Sequence, residues 1–209
     1  MTGRFFIARH GETVFNAVSR MQGEAPHTPL TRLGFAQADE MGALLRVHLG
    51  PKPKLELWSS PSGRALQTLA VIAEHLELDW HQTRTDDRLR EIDIGDWGGR
   101  YYRDVAAEAG QIVDREAGLF TQRPPRGEYY DDVAIRLRAW LDDLGRETTD
   151  RIVVMHGMSS RVLRGLLTNA VERPGFAAPI ADAIRQGSLV EISGSMEQIL
   201  DQGDAFEPI

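Results

Sequence analysis

The chain has 209 residues, 42% hydrophobic and 26% charged, with a formal net charge of −7 and no cysteine. That length suits one domain with a sizeable core. The lack of cysteine excludes disulfides, thiolate nucleophiles and thiolate metal sites, and the acidic balance excludes a global basic field for nucleic acid or acidic membranes.

Any attraction for an anion must therefore be local. No apolar stretch resembling a leader precedes Arg9 and no run of 18 apolar residues follows it, so a cytoplasmic protein without a membrane partner is expected. The run Phe5-Phe6-Ile7-Ala8 predicts a buried strand that Gly11 ends. Such a strand delivers Arg9 and His10 to its carboxyl end, where open α/β sheets place their ligands. An imidazole is a competent nucleophile at neutral pH, and an adjacent guanidinium can hold an anion before it. Gly11, without a side chain, leaves room for a substrate to approach.

Residues 11–30 read as a polar loop. Thr31 is placed to cap a helix with Leu33, Ala36, Met41, Leu44 and Leu45 on its inner face, stopped by Gly50 to Pro53. Leu55 to Trp58 reads as a strand, and Ser60-Pro61 as an N-cap with proline at the first helical position. The helix that follows repeats Ala65, Leu69, Ile72, Ala73 and Leu76. Arg64 falls in its first turn, where free amides and the helix dipole favour an anion. A strand is expected over 79–84. Residues 97–130, which carry all four tyrosines, Trp97 and Phe120, read as a cap-like excursion. Val133, Leu137, Trp140, Leu141 and Leu144 mark an amphipathic helix. The strand Ile152 to Met155 ends at His156-Gly157, and Val162, Leu163, Leu166 and Leu167 line the next helix. A strand from Leu189 to Ser193, with a hairpin partner over Met196 to Leu200, closes the chain.

This alternation predicts an α/β fold: a three-layer α/β/α sandwich with a largely parallel sheet, spanning 1–209 as one domain. Arg9-His10, the segment Ser59 to Arg64, and His156 each follow a strand. Three separate segments thus bring cations and imidazoles to one rim of the sheet.

These motifs resemble the histidine phosphatase superfamily, the phosphoglycerate mutase-like group, nearly end to end. Arg9-His10-Gly11-Glu12-Thr13 with Asn16 matches its signature. Arg20-Met21-Gln22-Gly23 and Pro29-Leu30-Thr31 with Gly34 match its first loop and helix start. Ser60 through Arg64-Ala65 with Gln67-Thr68 resembles its second phosphate-binding segment. Leu89-Arg90-Glu91, running to Gly95-Asp96-Trp97-Gly98, resembles the segment bearing the acid, and Val154-Met155-His156-Gly157 matches its second histidine motif.

The resemblance implies His10 as nucleophile, Glu91 as acid and base, and His156 as a donor to the phosphoryl group. It implies Arg9, Arg64, Asn16, Gln22, Gly23 and Gly157 as the phosphate-binding set. Phosphoryl transfer is mainly positioning and charge stabilisation, and these groups can neutralise the phosphate, so no metal or other cofactor is expected. His27, His48, His75 and His81 lack metal-ligand spacing and are expected to be structural or exposed. The segment after Glu91 resembles the compact phosphatase branch, so the expected activity is metal-independent hydrolysis of a small phosphate ester through phosphohistidine. Phosphoglycerate mutase-type transfer and non-catalytic binding of a phosphorylated ligand stay open as alternatives. A homodimer stays open as well.

Overall fold

The computed structural model describes residues 3–145 and 147–203. In chain order its elements are β1 (Phe5–Arg9), α1 (Arg32–Leu49), β2 (Leu55–Ser59), α2 (Gly63–His75), β3 (Arg84–Thr85), α3 (Tyr102–Ala109), β4 (Val113–Asp114), β5 (Leu119–Phe120), α4 (Tyr130–Leu144), β6 (Asp150–Met155), α5 (Gly157–Leu167), β7 (Glu172–Arg173), β8 (Ala178–Pro179), β9 (Leu189–Ser193) and β10 (Met196–Asp201). The central sheet runs β10-β9-β1-β6-β2-β3. The neighbours β1–β6, β6–β2 and β2–β3 pair in parallel, whereas β9 is antiparallel to both β1 and β10. The expected α/β sandwich with a largely parallel sheet is thus the architecture found. No helix among the described residues is long and apolar enough to cross a membrane.

Strand residues alternate between the two faces, and this sorts the core into two clusters. Phe6, Ala8, Leu57, Ile152 and Val154 pack under Met41 and Leu45 of α1 and Leu69 and Ile72 of α2. Phe5, Ile7, Val153, Met155, Val190 and Ile192 pack under Val133, Leu137 and Trp140 of α4 and Val162 and Leu163 of α5. Helices on both faces leave the parallel strands free only at their ends. Their carboxyl ends form the rim that carries Arg9-His10, Ser60 and His156.

Three local expectations need correction. Helix α1 does begin after Thr31, whose hydroxyl accepts from the Gly34 N–H at 3.1 Å, but its inner face is Gly34, Ala38, Met41, Gly42 and Leu45. Leu33 and Ala36 are exposed. The two glycines lie on that face because neighbours press close: a Cβ on Gly34 would lie 2.1 Å from the Glu12 carbonyl oxygen, and one on Gly42 would lie 2.5 Å from the His75 ring. Ser60 is not a cap. Its N–H donates to the Val154 carbonyl at 3.0 Å, which keeps it on the sheet, so α2 starts at Gly63 with Ser62 as N-cap. The strand expected over 79–84 shrinks to Arg84–Thr85, because Asp79 caps a 3-10 turn over Trp80–Gln82.

Residues 97–130 hold α3 and the β4–β5 hairpin. They bury Trp97, Val105, Ile112, Leu119 and Phe120 in the same cluster as α4 and α5. Tyr130 is the first residue of α4. Neither α3 nor the hairpins β4–β5 and β7–β8 was expected. The C-terminal hairpin β9–β10 was.

Candidate active site

The main chain of the nucleophile motif is held by both backbone and side-chain partners. His10 N–H donates to the Met155 carbonyl at 3.1 Å and Thr31 N–H to the Glu12 carbonyl at 2.9 Å. Gly11 N–H donates to Thr68 Oγ1 at 3.1 Å and Glu12 N–H to Gln37 Oε1 at 2.8 Å. Gly11 serves packing rather than substrate approach: a Cβ there would lie 2.2 Å from the Gly34 carbonyl oxygen. The bare main chain of the motif thus rests on the start of α1.

His10 is buried, and its Nδ1–H donates to the Gly11 carbonyl at 2.7 Å. That bond fixes the tautomer and leaves the lone pair on Nε2. Arg64 Nε sits 3.2 Å from His10 Nε2 and 3.2 Å from His156 Nδ1. His156 accepts there, so its own proton is on Nε2, which faces Ser62 Oγ at 3.4 Å. The two rings meet edge to face with centroids 5.1 Å apart. Burial, and next the Arg64 charge, push both imidazoles well below their ordinary value. Both are therefore neutral at pH 7.

Arg64, wholly buried in the first turn of α2, spends its other donors on the loop that covers it. Nη1 donates to the Ala25 carbonyl at 2.6 Å and to Thr28 Oγ1 at 3.2 Å, and Nη2 to the Gly23 carbonyl at 2.8 Å. Burial lowers its pKa to about 10, with the Glu91 charge opposing. Arg9 donates from Nη1 to the Ile184 carbonyl at 3.0 Å. Its Nε is buried with no partner among the described residues. A Cβ on Gly157 would come 3.3 Å from Arg9 Cζ, so that glycine makes room for the guanidinium.

The Glu91 carboxylate caps the start of α5, accepting from Met158 N–H at 3.1 Å and Ser159 N–H at 2.9 Å. The free amides and dipole of that helix hold the charge at the rim. Asn16 and Gln22 are tied together: Thr13 Oγ1 lies 2.8 Å from Asn16 Oδ1 and 2.7 Å from Gln22 Oε1. Gly23, at φ +49°, turns its carbonyl onto Arg64 and so acts through that residue. Neutral imidazoles, buried guanidiniums and a carboxylate around one point are the groups that in-line phosphoryl transfer needs.

The family model described as the histidine phosphatase superfamily (branch 1) matches residues 5–192. The chain belongs to that superfamily. A glucosyl-3-phosphoglycerate phosphatase of Mycobacterium tuberculosis (strain ATCC 25618 / H37Rv) is 32% identical over 203 residues, covering 91% of this chain and 85% of the relative. The 6-phosphofructo-2-kinase/fructose-2,6-bisphosphatase of Caenorhabditis elegans is 33% identical over 189 residues, 90% of this chain but only 38% of that protein's length. Among solved structures, a mycobacterial glucosyl-3-phosphoglycerate phosphatase complexed with VO3 superposes with a TM-score of 0.75 at 27% identity, covering 98% of this chain and 100% of its own. The family and these phosphatase relatives support phosphoester hydrolysis as the general activity of this histidine phosphatase.

The sequence pointed to His10, His156, Arg9, Arg64 and Glu91, and the structure brings them to one rim. It did not point to Tyr102, a half-buried residue whose phenol is pushed up to about 12 by loss of solvent, with Glu91 raising it further and Arg9 opposing. Nor did it point to Arg136, which grips Glu128 at 3.0 Å and the Glu91 carbonyl at 3.2 Å, or to Gln186, which bonds the His10 carbonyl. Tyr102 was visible only as one of four tyrosines. No motif marks Gln186.

Proposed function

We propose that this histidine phosphatase hydrolyses a small phosphomonoester without metal, through a phosphohistidine on His10. The observation that carries this reading is the shared contact of Arg64 Nε with His10 Nε2 and His156 Nδ1 at 3.2 Å each. Phosphate oxygens arriving between the rings take the Arg64 N–H, which frees the Nε2 lone pair in front of phosphorus. His10 Nε2 then forms the N–P bond as the ester P–O bond breaks. An ester arriving as the monoanion brings a proton that Glu91 takes and passes to the departing oxygen, and Glu91 afterwards takes one from the water that cleaves the N–P bond. Arg9, Arg64, the His156 Nε2–H and the amides of Asn16 and Gln22 hold the equatorial oxygens, with Gly23 and Gly157 shaping the places of the two guanidiniums.

The relatives' names speak of a fructose bisphosphate and a glucosyl phosphoglycerate, so a phosphorylated sugar or glycerate of the cytoplasm is the substrate class to test first. The test is inorganic phosphate release, with chelator present, from 4-nitrophenyl phosphate, sugar phosphates, nucleotides and 3-phosphoglycerate. Release by wild type that disappears in His10→Ala is the expected result. Conversion of 3-phosphoglycerate to 2-phosphoglycerate without free phosphate would establish a mutase instead. Release that survives in His10→Ala would mean another nucleophile.

A further inference from the structure

The segment between β8 and β9 braces the Arg9-His10 pair at three points. The Ser188 carbonyl accepts from Arg9 N–H at 3.0 Å. The Ile184 carbonyl accepts from Arg9 Nη1 at 3.0 Å. Between them, Gln186 Nε2 donates to the His10 carbonyl and lies 3.2 Å from His10 Nδ1. The brace is itself wedged. Gly187 has φ +71°, and a Cβ there would meet the Gln37 side chain at 2.9 Å, while a Cβ on Gly203 would lie 2.2 Å from the Gln186 carbonyl oxygen. Ser188 Oγ donates to the Arg185 carbonyl at 2.7 Å. Gln186 is 1% exposed.

Its amide is satisfied at one end only. Nε2 serves the nucleophile's carbonyl, whereas Oε1 is buried with no partner among the described residues. The donor end points at His10, on both its carbonyl and its ring.

We propose that Gln186 is a positioning residue for the nucleophile: by holding the His10 carbonyl it aims Nε2 at the phosphoryl group and so sets the rate at which phosphohistidine forms. The inference rests on the hydrolysis reading above. Without Gln186 the His10 carbonyl loses its donor, and the main chain turns toward whichever donor is left. Ring orientation follows the main chain, because Nδ1–H is tied to the adjacent Gly11 carbonyl at 2.7 Å. The Gly11 contact is shorter than that of Gln186 to the same nitrogen, so the proton stays on Nδ1.

The test is rapid-quench measurement of phosphohistidine with 4-nitrophenyl phosphate in wild type, Gln186→Leu and Gln186→Glu. Gln186→Leu is expected to form phosphohistidine at least tenfold more slowly, with KM within threefold of wild type and a melting temperature within a few degrees. Gln186→Glu puts a carboxylate beside a ring that otherwise faces the cations Arg64 from α2 and Arg9 from β1, and the neutral His156 at the end of β6. That favours the imidazolium, so the acid limb of kcat/KM should move to higher pH by roughly one unit. Phosphohistidine in wild type with an unchanged rate in Gln186→Leu overturns this proposal alone. So does a loss in Gln186→Leu that only tracks lost folded protein while the acid limb of Gln186→Glu stays put. No phosphohistidine in wild type overturns the hydrolysis reading and this proposal together.

Discussion

Arg64 serves two imidazoles through one N–H while its other nitrogens anchor the loop over residues 23–28. A lysine ammonium carries the charge but lacks the planar fork, so it cannot reach both rings and the loop carbonyls together. Arg64→Lys is expected to lower kcat/KM by about a hundredfold or more, read in steady-state kinetics on 4-nitrophenyl phosphate. Arg64→Met removes the charge that, after burial, does most to lower both imidazoles. Their pKa values then rise and the acid limb of kcat/KM moves up in pH. An acid limb in Arg64→Met no higher than in wild type would show that the charge does not reach the rings. Glu91→Gln keeps an oxygen for the α5 amides but has no proton to give. The loss should be about a hundredfold or more for an alkyl phosphate and small for 4-nitrophenyl phosphate, whose leaving group departs without protonation. Equal losses on both esters would remove Glu91 from the acid role.

At the scale of elements, Gly11, Gly34 and Glu12 form a backbone-to-backbone seam between the motif loop and α1. Gly34→Ala would place its Cβ against the Glu12 carbonyl, and neither backbone can give way alone. The expected cost is about 1–3 kcal/mol in denaturant unfolding, together with lower activity, because Glu12 is joined to His10 through one residue. Gly42→Ala meets the His75 imidazole instead, a side chain able to shift, and should cost less. If the two substitutions cost the same and both spare activity, the seam does not position the motif. This seam also shows where the sequence could be read and where it could not. The strands β1, β2, β6 and β9 and the helices α2, α4 and α5 stood out because their apolar residues keep the period of the element they form. The inner face of α1 was misread because two of its contact residues are glycines, which register as neither apolar nor periodic. Two-residue strands such as β4, β5, β7 and β8 are too short to show alternation at all. At the site, Arg9, His10, Arg64 and His156 lie at strand ends or a helix start, where position alone suggests chemistry, whereas Glu91, after the 3-10 turn Asp87–Leu89, was marked only by the family resemblance. Gln186 contacts His10 across 176 residues, and its loop carries no pattern that reveals the pairing.

For the whole molecule, the site rather than the acidic surface should set the first limit on acid stability. His10 and His156 are held well below 6.5 in the folded protein, by burial first and then by Arg64, whereas in the unfolded chain each titrates near its ordinary value. Below pH 6.5 the unfolded chain therefore binds more protons than the folded one, and stability falls with pH down to the folded values. The carboxylates enter later and with mixed sign. Asp86, held low by its bond to Arg88, contributes stability that is lost only as pH falls below its unfolded range. Glu24, raised by burial against the pull of Arg90, works the other way: its contribution favours the fold at low pH and fades as pH rises through its folded value. The melting temperature of wild type should thus decline between pH 7 and pH 5, where Asp86 is still ionised. His156→Gln, neutral throughout that window, should show a shallower decline, and Arg64→Met, which removes only the second cause and leaves both rings buried, a decline between that of His156→Gln and that of wild type. Calorimetry across that pH range checks all three. A flat wild-type profile would mean that the imidazoles are not buried uncharged. A slope that flattens in Arg64→Met together with an upward move of its acid limb would tie stability and activity to the same two protons.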